Sequence, residues 1–221
     1  MNKKTLILII IIILLGSFLR FYNLGKESFW LDEGYTAKTI KKYNAKQILN
    51  NAITFGLVSP EEYYLKGKYV YNDDMPIYYL SLNFWANLFG VSELSLRSFS
   101  SIFAILALIA IFHLARYLYG GRVALLATFL AAINLTLILY SQEARMYSFL
   151  LFLSILSVFL LLKLLNGGKT PQLVLFVLVN VIIIYSHLPW IVLILFEGLY
   201  AVYMLSIDYS KKKRANKKVI A

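Results

Sequence analysis

The sequence predicts an all-α polytopic membrane protein: about six transmembrane helices, with a long outer loop carrying amphipathic, interfacial helices after the first. Three observations carry this. Of 221 residues, 60% are apolar or aromatic and only 15% are charged, against about 45–50% and about 25% in a typical soluble domain. The apolar residues fall into charge-free runs of spanning length. The 22 Lys and Arg residues, which set a net charge of +11, cluster at the ends of those runs. A soluble enzyme and a disordered chain are excluded, as is a nucleic-acid-binding face, because the basic residues do not form one. With no cysteine, disulfides, thiolate metal sites and cysteine nucleophiles are excluded too.

A spanning helix needs about 20 mostly apolar residues. The first, 5–22, follows Lys3 and Lys4. Its exit, Ser17-Phe18-Leu19-Arg20-Phe21-Tyr22, lacks the small residues of a signal-peptide cleavage site, so it is read as a retained signal anchor. The outer loop is 23–91. Within it, Met75–Val91 is uncharged and rich in Tyr78, Tyr79, Phe84 and Trp85. If it spanned, the basic ends of the later runs would face outward; laid along the outer interface, it lets them all face the cytoplasm. The remaining spans are 94–117, 122–140, 146–164, 171–187 and 190–207, the last two divided at His187-Leu188-Pro189, where proline breaks the helix. Both termini, including the basic tail 208–221, are then cytoplasmic, and the whole chain is one transmembrane domain. Nine of the eleven acids, from Glu27 to Glu143, fall on the outer side.

Four outer-face groups offer chemistry. Asp32 and Glu33, in Trp30-Leu31-Asp32-Glu33-Gly34, are adjacent carboxylates beside a bilayer surface; they read as a base or a cation anchor, or as the N-cap of a helix over Glu33–Lys46. Asp73 and Asp74, before Met75-Pro76, read as a site or as caps. Glu143 and Arg145 lie in a polar hairpin between two spans, where the guanidinium fork suits a phosphate or a lipid headgroup. His187 reads as structural or as a ligand that joins Asp73 and Asp74 on a divalent cation. Glu197, mid-span, is costly to bury and reads as functional or as a neutral partner of Asn180.

In order, Trp30-x-Asp32-Glu33, Asp74-x-Pro76-x-Tyr78-Tyr79, Leu88-Phe89-Gly90-x-Ser92-Glu93 with Arg97, and Tyr140-Ser141-Gln142-Glu143-Ala144-Arg145-Met146-Tyr147 resemble the N-terminal part of a GT-C membrane glycosyltransferase. The nearest group is that of the protein O-mannosyltransferases and lipid A aminoarabinose transferases. The resemblance runs from about Leu6 to His187. It implies transfer of a hexose-type sugar from a polyprenyl-phosphate donor to a hydroxyl on a protein, lipid or glycan, on the extracytoplasmic side and with inversion. It implies Asp32 as the catalytic carboxylate, with Glu33 completing the pair. It also implies substrate contacts from Glu143, Arg145, Arg97 and Tyr79, and Asp73, Asp74 and His187 where some relatives bind a divalent metal. The chain departs from the group in having Asp74-Met75-Pro76 where His-Pro-Pro is common, and in its shortness. The alternative class is a non-catalytic lipid carrier, transporter half or scaffold subunit on the same fold.

Overall fold

A computed structural model describes residues 2–50 and 76–220, with side chains to residue 207. Asp73, Asp74 and the tail side chains lie outside the described residues. Among the described residues the structure is all helical. The helices are α1 Lys3–Phe21, α2 Leu31–Lys42, α3 Pro76–Phe89, α4 Glu93–Tyr119, α5 Gly121–Ile133, α6 Leu135–Ser141, α7 Tyr147–Leu165, α8 Thr170–Ile184 and α9 Ile191–Ile220, with a 3₁₀ turn at Leu188–Trp190 before α9. Residues 45–50 are helical as well.

Four helices are long and apolar enough to cross a membrane: α1, α4, α7 and Leu188–Ile207. The expected single span 122–140 is instead two helices, α5 and α6, bent by 61°. The break sits at Asn134. Its backbone is extended, and its side-chain oxygen accepts the Leu137 N–H at 3.0 Å to start α6. Asn is a strong N-cap, so an Asn inside an apolar run offers the chain a new helix start. α8 is apolar but has only 15 residues, about 22 Å at 1.5 Å per residue, less than a bilayer's hydrocarbon thickness of about 30 Å. The described spans therefore number four, or five with the bent pair, rather than a demonstrated six.

α4 is the central helix and packs against α1, α3, α5, α6 and α7; α7 in turn carries α8 and α9. Small residues allow the close approach. At Gly16 of α1, an added Cβ would lie 2.6 Å from Leu108 Cδ1 on α4 and 3.3 Å from Ala132 Cβ on α5. A larger residue here would push the Leu108 side chain aside and crowd Ala132. Arg20, one turn on, is 1% exposed. Its Nη1 donates to the carbonyls of Gly16 and Ala132, each at 3.0 Å, and its Nη2 to that of Ala131 at 3.2 Å. The last two carbonyls belong to the final turn of α5, whose partial negative charge favours a cation. Arg20 thus satisfies the backbone where the apolar run breaks.

The bundle sorts its charges by end. At one end Thr5 approaches Gly121, the Tyr117 hydroxyl meets Asn166, and Lys163 lies over the Tyr117 and Phe159 rings. Arg116 and Arg122 belong to this end by sequence. The other end gathers the close of α1, the start of α4 and the hairpin between α6 and α7. Ser101 donates to the carbonyls of Arg20 and Ser141, and Gln142 to those of Leu19, Arg20 and Tyr22.

α3 lies against that second end. Tyr78 and Tyr79 pack with Phe99 and Phe149 in the main apolar cluster, and Trp85 donates to the Ser95 carbonyl. Ile77 N–H bonds the Tyr185 carbonyl at the end of α8, and Asn83 the Tyr43 carbonyl after α2. The opposite face of α3 exposes Phe84 and Leu88. At 14 residues, α3 is too short to span.

Candidate functional site

The site is built where the outer loop meets the α6–α7 hairpin. After α1 the chain turns at Asn23, whose φ is +57°, a left-handed conformation that Asn tolerates better than most residues. It then passes over the start of α4 and enters α2 at Trp30. The buried residues of α2 are Glu33, Thr36, Ala37 and Ile40, one helical stripe by spacing. The register that turns Ala37 and Ile40 into the core turns Glu33 inward as well.

Glu33 is fully buried and paired with Arg97 of α4. Its Oε1 accepts from Arg97 Nε at 2.9 Å and from the Ala144 N–H at 2.7 Å; its Oε2 accepts from Arg97 Nη2 at 2.7 Å and from the Trp30 N–H at 3.3 Å. Arg97 spends its other N–H groups on the carbonyls of Leu24, Glu27 and Ser28, so all five of its donors are used. Its guanidinium also lies over the Phe29 ring. This fork-to-carboxylate geometry is the strong form of an ion pair. It ties together three segments: the loop 24–33, the start of α4 and the α6–α7 hairpin.

Glu33 is expected to share catalysis with Asp32, and Arg97 to meet a donor phosphate. In the structure both are bonded to protein groups, and the pair holds the loop 24–33 against α4 and the hairpin. Asp32, one residue away, is half-buried, and its carbonyl accepts from the Thr36 hydroxyl. Helix capping, the alternative considered for this pair, falls to Glu33, which accepts the Trp30 N–H. Tyr79, expected at a substrate, is buried in the aromatic cluster of the core.

Glu143 and Arg145 sit in the hairpin, both half-buried. Arg145 Nη1 approaches Thr36 Oγ1 at 3.4 Å, and its carbonyl accepts from Ser100. Burial holds the Glu143 carboxyl above its ordinary value of 4.5; the negative charges of Glu33 and Asp32 push the same way, and Arg145 and Arg97 oppose them. The five charged groups therefore form one electrostatic unit. Beside it opens a cleft of about 430 Å3, lined among others by Tyr22, Lys26, Glu27, Trp30, Gln142 and Glu143. Lys26, Glu27 and Gln142 were not singled out from the sequence. Their signal was present: a polar cluster immediately beyond the first span, and a glutamine beside the hairpin acid.

His187 lies between α8 and the 3₁₀ turn, its ring against Trp190. Among the described residues no three His, Asp or Glu side chains gather to hold a metal. With Asp73 and Asp74 outside the described residues, His187 alone does not compose the expected cation site.

The family model for dolichyl-phosphate-mannose-protein mannosyltransferases matches residues 73–220. That stretch holds Arg97, Glu143, Arg145 and His187 and begins after Asp32 and Glu33. No curated protein and no solved structure matches the chain.

Two outcomes follow from the geometry. Arg97→Met leaves a buried carboxylate and three carbonyls without their donors. Breaking a buried pair in this way costs about 3–5 kcal/mol, so the variant should accumulate poorly and melt well below wild type in detergent, with Glu33→Gln, which keeps the shape, intermediate. A wild-type melting temperature for Arg97→Met would refute the structural role.

Glu143 gives a pH signature. Its carboxyl is raised in the folded chain, so folded protein keeps that proton over a window in which unfolded chain has lost it. Stability then falls as pH rises through the window. Glu143→Gln should melt higher than wild type at neutral pH, and the difference should vanish as pH drops toward 4.5. A constant difference across pH would contradict the assignment.

Proposed function

The chain belongs to the dolichyl-phosphate-mannose-protein mannosyltransferase family, and we propose that it moves a hexose-type sugar from a polyprenyl-phosphate donor to an acceptor hydroxyl at the end of the bundle that bears Asp32, Glu143 and Arg145. Family membership makes it a membrane glycosyltransferase of GT-C type. The observation that supports the finer reading is the division of labour between Asp32 and Glu33. The Glu33–Arg97 pair fixes the loop, and Asp32, half-buried on the same helical turn, remains beside Glu143 and Arg145.

The reaction in this reading is a single displacement. The donor enters from the bilayer with its prenyl tail among the exposed apolar helix faces. Arg145, with Lys26 at the cleft, holds the phosphate oxygens. Asp32 accepts the proton of the acceptor hydroxyl as that oxygen bonds to the anomeric carbon. The bond from that carbon to the phosphate oxygen breaks, and its electron pair leaves with prenyl phosphate, which needs no proton. Attack opposite the leaving group inverts the centre. The acceptor is a protein, lipid or glycan hydroxyl.

The acid-rich end faces away from the cytoplasm in this reading, and both termini face it. The sorting of Lys163, Arg116 and Arg122 to the opposite end supports that orientation by the positive-inside rule. Trp30, Leu31 and Tyr35, all exposed on α2, would then rest at the outer interface, where amphipathic aromatic rings are favoured. An impermeant thiol reagent applied to intact cells should label a cysteine placed at Lys46 and not one placed at Lys213. The reverse pattern would invert the orientation.

Asp32→Asn tests the chemistry. Asparagine keeps the size and caps helices as well as aspartate, but takes no proton. Loss of a general base costs typically 10²–10⁴-fold in rate. The variant should reach normal abundance and melting temperature yet lose transfer from prenyl-phosphate sugars in membranes by that factor. Transfer at the wild-type rate would remove Asp32 from the mechanism and leave Glu143, the other carboxylate of the unit not saturated by an ion pair, as the base to test.

A further inference from the structure

Three polar side chains meet inside the apolar part of the bundle, away from the cleft. Ser157 lies near the middle of α7, Asn180 two-thirds along α8, and Glu197 near the middle of the apolar stretch Leu188–Ile207. They are 0%, 8% and 5% exposed. Asn180 Nδ2 donates to Ser157 Oγ at 2.8 Å and to its own helix at the Phe176 carbonyl, 3.0 Å away. The Ser157 hydroxyl donates to Glu197 Oε2 at 3.0 Å. The Asn180 amide also lies against the carboxylate.

The protons of this group are then used up. Asn180 has given both of its amide protons and Ser157 its one. Two acceptor oxygens, Glu197 Oε1 and Asn180 Oδ1, are buried without a hydrogen-bond partner. Among the described residues no Lys, Arg or His bonds to Glu197. A buried unpaired acceptor is costly, and an uncompensated carboxylate far more so. What the group lacks is one positive charge placed between oxygens. The donor set, a carboxylate, an amide carbonyl and a hydroxyl, is all hard oxygen, the kind that holds small closed-shell cations rather than thiophilic metals. A single carboxylate is neutralised by a single charge; a divalent ion would leave an excess positive charge in a low-dielectric surrounding.

We propose that Glu197, Asn180 and Ser157 form an intramembrane site for one monovalent cation, which locks α7, α8 and α9 together. The chemistry is met by sodium or by a proton, and the two are separable by experiment. The surroundings contribute little other charge. α8 carries no ionisable side chain; on α7 they are Tyr147 and Lys163, toward its ends; on α9 up to residue 207, where the described side chains end, they are Tyr200 and Tyr203 beside Glu197.

The test is thermal unfolding of the whole chain in detergent, with ionic strength held by choline chloride. In the sodium arm, at fixed alkaline pH, the wild-type melting temperature rises with sodium concentration and Glu197→Gln shows no such rise. In the proton arm, without sodium, acidification raises the wild-type melting temperature more than that of Glu197→Gln. Either result supports the site and names the cation. Ser157→Ala removes one oxygen and leaves the carboxylate in place; it should shift the sodium midpoint several-fold toward higher concentration, and it carries the test if Glu197→Gln does not fold. Identical responses of wild type, Glu197→Gln and Ser157→Ala to sodium and to pH would overturn the proposal. Transfer activity plays no part in the readout, so this result and the glycosyltransferase reading stand or fall separately.

Discussion

The buried pairing of Glu33 with Arg97 is the constraint from which the arrangement at the acid-bearing end follows. A loop of dozens of residues beyond a single span has little reason to hold one shape. Its first part, residues 24–33, acquires one because a carboxylate and a guanidinium, neither tolerable alone in a buried place, are satisfied only by each other and by the backbone around them. The Leu24, Glu27 and Ser28 carbonyls have no regular ladder to join and find their donors in Arg97. The hairpin has its Ala144 N–H captured by Glu33. Such a pair adds modestly to net stability, since desolvation offsets much of the attraction. What it supplies is specificity: any other register of α2 would strand a charge.

Arg20 plays a comparable part deeper in the bundle. Splitting a span exposes carbonyls that lipid cannot satisfy. The guanidinium from α1 meets two of them at the end of α5, while Asn134 starts α6 afresh. The bend then carries α6 and the following hairpin across the top of α4. Ser101 reaches backbone carbonyls on both sides of that junction, at Arg20 and Ser141. The direction of the hairpin acid, Glu143, thus depends on an arginine that lies nowhere near it in sequence.

Composition and charge-free runs were enough to read an all-helical membrane protein, because bilayer thickness imposes a length that sequence displays directly. The order of motifs was enough to read the family. The roles of adjacent residues were not. Asp32 and Glu33 look alike as a pair, and what separates them is the spacing of Glu33 from Thr36, Ala37 and Ile40, a stripe visible in the sequence but weak against two neighbouring acids. Arg97 reads in the same way: Ser100, Ser101 and Ala104 follow it at helical spacing on the buried face of α4. The 61° break at Asn134 was hidden inside an apolar run, because its compensation comes from Arg20, more than a hundred residues upstream. Long-range partners of this kind are not encoded in any window of sequence.

The bond between Glu33 and the Ala144 N–H spans 111 residues of chain. A ribosome adds about 5–20 residues per second, so Glu33 is made on the order of ten seconds before its last partner exists. Arg97 arrives part-way through that interval, 64 residues after Glu33. The set of bonds at this end is therefore complete only when the α6–α7 hairpin docks. The position of Glu33 is thus completed by a hairpin at the same end of the bundle, the last of its partners that the ribosome makes.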